Sequence, residues 1–484
     1  MHRLCLLLFS VLFILLSLFT VQAKLSIKSG KSSINGKKSL SQNQLMKHND
    51  KSVSVIANGA SPIGPGPLCI LGGALAHLAL GTLYCWGNFI SYIPPELRFF
   101  DGQIKDGSPD ALFVVPLTMV AQSLSMPFGP RLVSKIGAAK AQLFGVLLAA
   151  SGVYFSSYFV KDLAKFMFFY SFIFGGGMGL AYTAAMSAGW KWMPSAKGLV
   201  SGGILAGFGS GGFIFSMIGS KIANPDKANK DASGLFPSSV YENFPTMLKK
   251  LSMCYAALSI IGSSFVSEPA ATPVQKGKKP TTATGATVKE ALTSWQYWLM
   301  WSMVVLSATA GLNTASVYKT FASSSGSSSL KDDAFLALCG GIGALFNGSG
   351  RLGWGLLSDV IGFKNSYTIL TIFQTISMLT YEASANSKST FMMNTCALFF
   401  CLAGNLALMP SAVQRMFGPM QGATIYGFFF SAFAVASICG GFLTKALAAQ
   451  LGWGGVFRVM AAMSVLASLL NTRLKSLPEA YSAV

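Results

Sequence analysis

Twelve apolar runs of roughly spanning length set the frame of this chain. They lie near 69-93, 111-128, 138-160, 163-187, 198-222, 247-267, 296-322, 334-353, 365-385, 389-413, 421-447 and 453-472, each bounded by charges, Pro or Gly. About 20 apolar residues carry a helix across a ~30 Å hydrocarbon core. In that medium the backbone must satisfy its own polar groups, so runs of this kind read as helices. With 52% hydrophobic and only 11% charged residues among 484, the chain is too apolar for an ordinary soluble domain. The expected fold class is an all-α membrane protein of twelve transmembrane helices.

The runs divide into two sets of six. Between them, 268-294 holds Pro269, Pro273, Lys276, Lys278, Lys279, Pro280 and Lys289 without a hydrophobic period, which marks a linker. The halves are then 69-267 and 295-475, followed by a tail at 476-484. They echo each other. Gly129-Pro130-Arg131-Leu132-Val133-Ser134-Lys135-Ile136-Gly137 follows the second run, and Gly355 to Lys364 follows the eighth. Trp190 to Gly198 follows the fourth, and Gln414 to Gly422 the tenth. Such internal repetition is common in transporter folds.

A formal charge of +20 in a soluble chain would suggest nucleic acid, but no basic stripe with interleaved aromatics is present. The cations instead gather in loops on one side: Arg131, Lys135, Lys191, Lys197, the linker lysines, Lys364 and Arg415. The positive-inside bias makes that side cytosolic or its equivalent. Eight cysteines, with no C-x-x-C pair, read as small packing residues. No metal, cofactor or catalytic constellation is evident, so an enzyme is not expected. The expected partners are a small organic acid and the lipid bilayer, with the protein monomeric.

Residues 1-23 form a signal-like hydrophobic segment, Leu4 to Phe19 after Arg3, ending in Val21-Gln22-Ala23. Residues 24-68 are basic and rich in Ser and Lys. A cleaved secretory signal would place the next residues on the side opposite the one the basic loops require. A bipartite presequence for a plastid-type organelle resolves that conflict; a thirteenth helix or a misassigned start are the alternatives. The expected location is a plasma membrane or endomembrane, with the plastid-type organelle as the alternative.

One charge lies inside a span. Arg351 sits eight residues before Asp359, about 12 Å along a helix, close to the ~15 Å half-thickness of the core. An intramembrane arginine is costly and marks a functional site by default. Eight residues are also too many for an ion pair between Arg351 and Asp359.

The segment Asn347 to Lys364, with Gly355, Asp359 and Gly362 in a G-x-L-x-D-x-x-G pattern, resembles the signature loop of the major facilitator superfamily. Gly81, Tyr84, Trp86, Gly176, Gly179, Tyr182, Trp192, Pro194, Lys197-Gly198-Leu199, Trp354 and Tyr426-Gly427-Phe428-Phe429 extend the likeness, over 69-472, to the oxalate/formate antiporter family. The resemblance implies a central cavity between six-helix halves and alternating-access transport of small organic acids. Two departures stand out. Phe433 occupies the position of a lysine found in dicarboxylate carriers, and Ser134 replaces the usual aspartate of the N-terminal loop.

The candidate substrate-binding residues are Arg351, Tyr84, Tyr182, Asn347 and Phe433. An arginine fork suits a carboxylate, and tyrosine hydroxyls would orient it, although each aromatic could equally be core. His77, seven residues before Tyr84 and roughly on its face, is either a proton-coupling group or a neutral histidine satisfied by a helix carbonyl. The gating loops are represented by Gly355, Asp359, Gly362 and Lys364, and by Arg131 and Lys135. One fixed cation suggests a monocarboxylate of the lactate, pyruvate or formate type, moved by antiport or proton symport. A carrier of a neutral or zwitterionic solute, or a non-transporting sensor on the same fold, are the other readings.

Overall fold

The computed structural model describes residues 64-103, 110-228, 235-270, 285-325, 330 and 332-475. The signal-like segment, nearly all of the basic segment after it and the tail at 476-484 lie outside the described residues. Among the described residues twelve long helical stretches follow in order: α1 (Pro65–Phe89), α2 (Val114–Ser125, running on as Gly129–Ile136), α3 (Ala138–Ser156) and α4 (Leu163–Trp192). Then come α5 (Lys197–Ala223), α6 (Ser238–Ser264), α7 (Trp295–Ser324), α8 (Asp333–Ile361) and α9 (Phe363–Ser384). The last are α10 (Lys388–Phe417), α11 (Gly422–Ala448) and α12 (Gln450–Arg473). Seven of them are long and apolar enough, by length and composition, to cross a membrane.

Local chemistry starts several helices. Asp162, Ser294, Asp332 and Ser387 each accept a hydrogen bond from a backbone N–H of the first turn that follows, satisfying a donor that the helix itself leaves free. The two halves repeat even at single-residue level. Gly137 ends α2 with φ +83° and Gly362 ends α8 with φ +80°, a region open to glycine and costly for residues with a Cβ.

Close packing between the halves runs through glycine. Cβ atoms added at Gly198 or Gly209 of α5 would run into Gly355 and Gly348 of α8, and one at Gly202 would lie 2.5 Å from the Arg351 carbonyl oxygen. Gly427 of α11 sits equally tightly on Pro127, in the turn of α2. Small residues provide the helix association that apolar packing in lipid does not. Buried polar side chains add to it within the C-terminal half, where Gln374 of α9 donates to the Ser307 carbonyl at 2.9 Å and to Ser464 Oγ at 2.7 Å. Cys254 is exposed on α6, so for this cysteine the packing role expected from the sequence does not hold.

Candidate substrate site

Arg351 has no solvent exposure. Its Nε donates to Asn347 Oδ1 at 3.1 Å and its Nη2 to the Tyr84 hydroxyl at 3.2 Å. The guanidinium carbon lies 4.9 Å from the centre of the Phe208 ring. Asn347 is itself fixed, since its Nδ2 donates to the Phe399 carbonyl at 3.0 Å. Among the described residues no carboxylate pairs with Arg351, and Nη1 closes no hydrogen bond. A cation over an aromatic face gains about 0.5–2 kcal/mol, short of the several kcal/mol an ion loses when it leaves water. The arrangement is therefore suited to receive an anion.

Two more hydroxyls are in the same condition. Tyr182 of α4 and Tyr426 of α11 come from opposite halves, with ring centres 6.4 Å apart and planes at 30°. Both are buried, and neither hydroxyl closes a hydrogen bond. Phe208 packs edge-on against Tyr182 and Tyr84 at 5.9 and 5.7 Å. Phe430 lies 5.5 Å from Tyr182, and Phe433 stands behind it at 5.1 Å. The result is a buried aromatic cluster, referred to below as the chamber, that holds one guanidinium and three phenols.

Each phenol sits where its helix is irregular. Tyr84 lies in a 3-10 turn, Gly81–Cys85, within α1. Tyr182 is the last residue before α4 breaks at Thr183, and Tyr426 belongs to the first segment of α11, Gly422–Phe429, which ends at Phe430. Interrupted helices around a midplane site are a recurrent feature of transporters.

Of the expected binding residues, Arg351, Tyr84 and Tyr182 converge. Asn347 instead holds Arg351 from one turn away. Phe433 is fully buried behind Phe430. His77 packs behind Tyr182 at 5.4 Å between ring centres. Tyr426, Phe208 and Phe430 are site residues that the sequence does not single out, although Tyr426 is a lone hydroxyl in an apolar run.

The signature loop acts at the other end of α8. Asp359 accepts from the backbone N–H groups of Gly198 and Leu199, at 3.1 and 2.9 Å, and pairs with Arg415. A carboxylate from one half thus caps the N-terminus of α5 in the other, where helix dipole and free N–H groups favour negative charge. Arg351 has no part in that pair, in keeping with the eight-residue spacing. The Lys364 ammonium donates to the Leu474 carbonyl beyond α12 at 2.8 Å. In the N-terminal half, Ser134 only donates to the Arg131 carbonyl, Arg131 lies over Phe128 of its own turn at 5.7 Å, and Lys135 is exposed. Glu268 supplies a carboxylate there instead: it accepts from the Ala138 N–H, at the start of α3, at 2.9 Å and pairs with Lys191 at 2.6 Å. Burial raises the Glu268 carboxyl, but the Lys191 ammonium and the Ala138 amide outweigh it and hold the group below the usual carboxylate range.

Known proteins match this architecture. The family profile of the Major Facilitator Superfamily matches residues 333–483. The solved structure of a proton:xylose symporter of that superfamily aligns with a TM-score of 0.64 at 13% identity, over 85% of this chain and 96% of that one. The chain therefore has the helical fold of that symporter, and its C-terminal half resembles the superfamily in sequence. Among curated proteins it is similar to apicoplast pyruvate carrier 1 of Toxoplasma gondii, with 26% identity over 84% of this chain and 87% of the relative. It is also similar to the oxalate:formate antiporter of Oxalobacter formigenes, with 28% identity over 83% of this chain and 92% of the relative.

Proposed function

We propose that the protein carries small monocarboxylates, of the pyruvate, lactate or formate type, across its membrane by alternating access. The observation that supports this best is Arg351, a single buried guanidinium with Nη1 free and two unpartnered phenols beside it. A carboxylate would accept from Nη1 and from Tyr182 or Tyr426, forming charge-assisted bonds. A second negative charge would find Phe433 where a dicarboxylate carrier has its lysine, and would be left unpaired in a dry chamber. Pyruvate and formate are named in the relatives' own descriptions, which agrees with this class of cargo.

Alternating access would part the halves at the Asp359 cap on α5 and re-form it in each cycle. Counterflow in proteoliposomes tests the reading. Internal pyruvate should drive uptake of labelled pyruvate, lactate or formate, and oxalate should compete weakly. Absence of counterflow for all of them, with uptake of a neutral amino acid, would replace this reading. Because one relative is an apicoplast carrier and residues 1-68 have the composition of a bipartite presequence, we propose a plastid-type organelle membrane as the location.

A further inference from the structure

His77 is the sole histidine among the described residues, and it is fully buried on α1. Its two ring nitrogens face two backbone carbonyls: Nδ1 lies 2.8 Å from the Gly73 oxygen and Nε2 lies 3.2 Å from the Tyr182 oxygen. A neutral imidazole has one N–H and one lone pair, whereas an imidazolium has two N–H donors. Carbonyl oxygens only accept. The neutral ring therefore satisfies one carbonyl and turns a lone pair toward the other, while the protonated ring satisfies both.

The residues around His77 connect it to the anion site. Tyr182 meets it edge-on and offers it the carbonyl, while the hydroxyl of the same residue belongs to the substrate chamber. Phe208 of α5 lies 6.3 Å from the imidazole and 4.9 Å from the Arg351 guanidinium. Arg351 of α8 is thus the charged group that shares a neighbour with His77. Tyr182 and Phe208 are the ring neighbours from α4 and α5, and Tyr84 of α1 bonds Arg351 itself.

We propose that His77 binds the proton that travels with the substrate anion. The inference rests on the reading of Arg351 as the anion site. Like charges repel, so beside a lone Arg351 guanidinium the ring gains its proton only together with the anion. A carboxylate on Arg351 cancels that field, and the two carbonyls then favour the imidazolium. The imidazole lone pair takes one proton from water on the loading side and returns it on the other; no bond of the substrate changes. Linkage makes the coupling reciprocal, so protonation of His77 tightens anion binding by the factor by which the anion favours the proton. One monocarboxylate and one proton move together, with no net charge.

The test counts protons. Calorimetric titration of the full-length protein with pyruvate, in buffers of differing ionisation enthalpy between pH ~6 and ~8, gives the protons taken up per ligand. The expected wild-type value approaches about one toward the acidic end of the range, where the empty ring is still neutral and the loaded one is protonated, and His77→Gln and His77→Asn take up none while still exchanging pyruvate. In proteoliposomes the same variants should lose acid-driven accumulation, up to about tenfold per pH unit for a one-proton step. The wild-type count requires no variant to fold. A count of zero with pyruvate exchange intact overturns the role of His77 alone. Proton uptake that persists in both variants overturns it as well. Failure of the wild type to bind or exchange pyruvate removes the Arg351 reading and this inference with it.

Discussion

The Tyr84 hydroxyl accepts a hydrogen bond from Arg351 Nη2 at 3.2 Å, joining α1 of the N-terminal half to α8 of the C-terminal half within the chamber. In an alternating-access cycle the contact would span the surface along which the halves separate. Removing the hydroxyl with Tyr84→Phe deletes a hydrogen bond to a charged group, worth about 1.5–3 kcal/mol. The half-saturation concentration for pyruvate should rise roughly 10- to 100-fold with expression and folding retained. An unchanged value in counterflow assays would exclude Tyr84 from the loaded site.

Arg351→Gln tests the centre of the site. Truncating one member of a buried ion pair typically costs about 3–5 kcal/mol, a few hundred-fold or more in affinity. Counterflow should vanish while the detergent-purified variant elutes and melts as a folded protein. Normal transport would end the anion reading.

Phe433→Lys should move preference from mono- toward dicarboxylates, by placing a second cation beside the chamber, provided the lysine stays protonated at a low-dielectric position. Oxalate-to-formate uptake ratios measured in parallel for the variant and the wild type check this. A constant ratio would show that position 433 does not set cargo charge.

Asp359→Asn removes the charge that caps α5. The amides of Gly198 and Leu199, which bond Asp359 at 3.1 and 2.9 Å, should then exchange with deuterium faster. Peptides covering residues 197 to 201 provide the measurement, and equal protection in the variant would show that the cap does not hold the halves together.

Glu268 gives a pH dependence with a definite sign. Its carboxyl is held below the usual range in the folded protein, so it contributes stability at pH above its unfolded value. That contribution is lost as pH falls through the folded value. The melting temperature of the wild type should decline on acidification through the carboxylate range, and Glu268→Gln should remove part of the decline. Superimposable curves would mean that other groups account for it.

The helical architecture was legible because bilayer thickness imposes one length on every span, and Arg351 was legible because a charge inside such a span is rare. The partners of these residues were not. The Asp359 cap on Gly198 and Leu199 joins residues about 160 positions apart, and nothing in local pattern ties a carboxylate to a helix start in the other half. Tyr426 and Phe208 lay in apolar runs where chamber wall and core share one composition. Asn347 was a candidate for the anion because the helix period puts it one turn from Arg351. The same period gave it the guanidinium Nε as a partner.

The cap at Asp359 has no twin across the halves, because Ser134 occupies the matching place in the N-terminal loop and Glu268 caps α3 within its own half. If the halves part in a transport cycle, a tie across them on the face of the basic loops makes the two end states unequal. A carrier cannot change the equilibrium of the solute it moves, so the inequality must surface in kinetics. The two faces are expected to show different half-saturation concentrations, offset by different maximal rates, with the resting carrier presenting its chamber away from the basic loops.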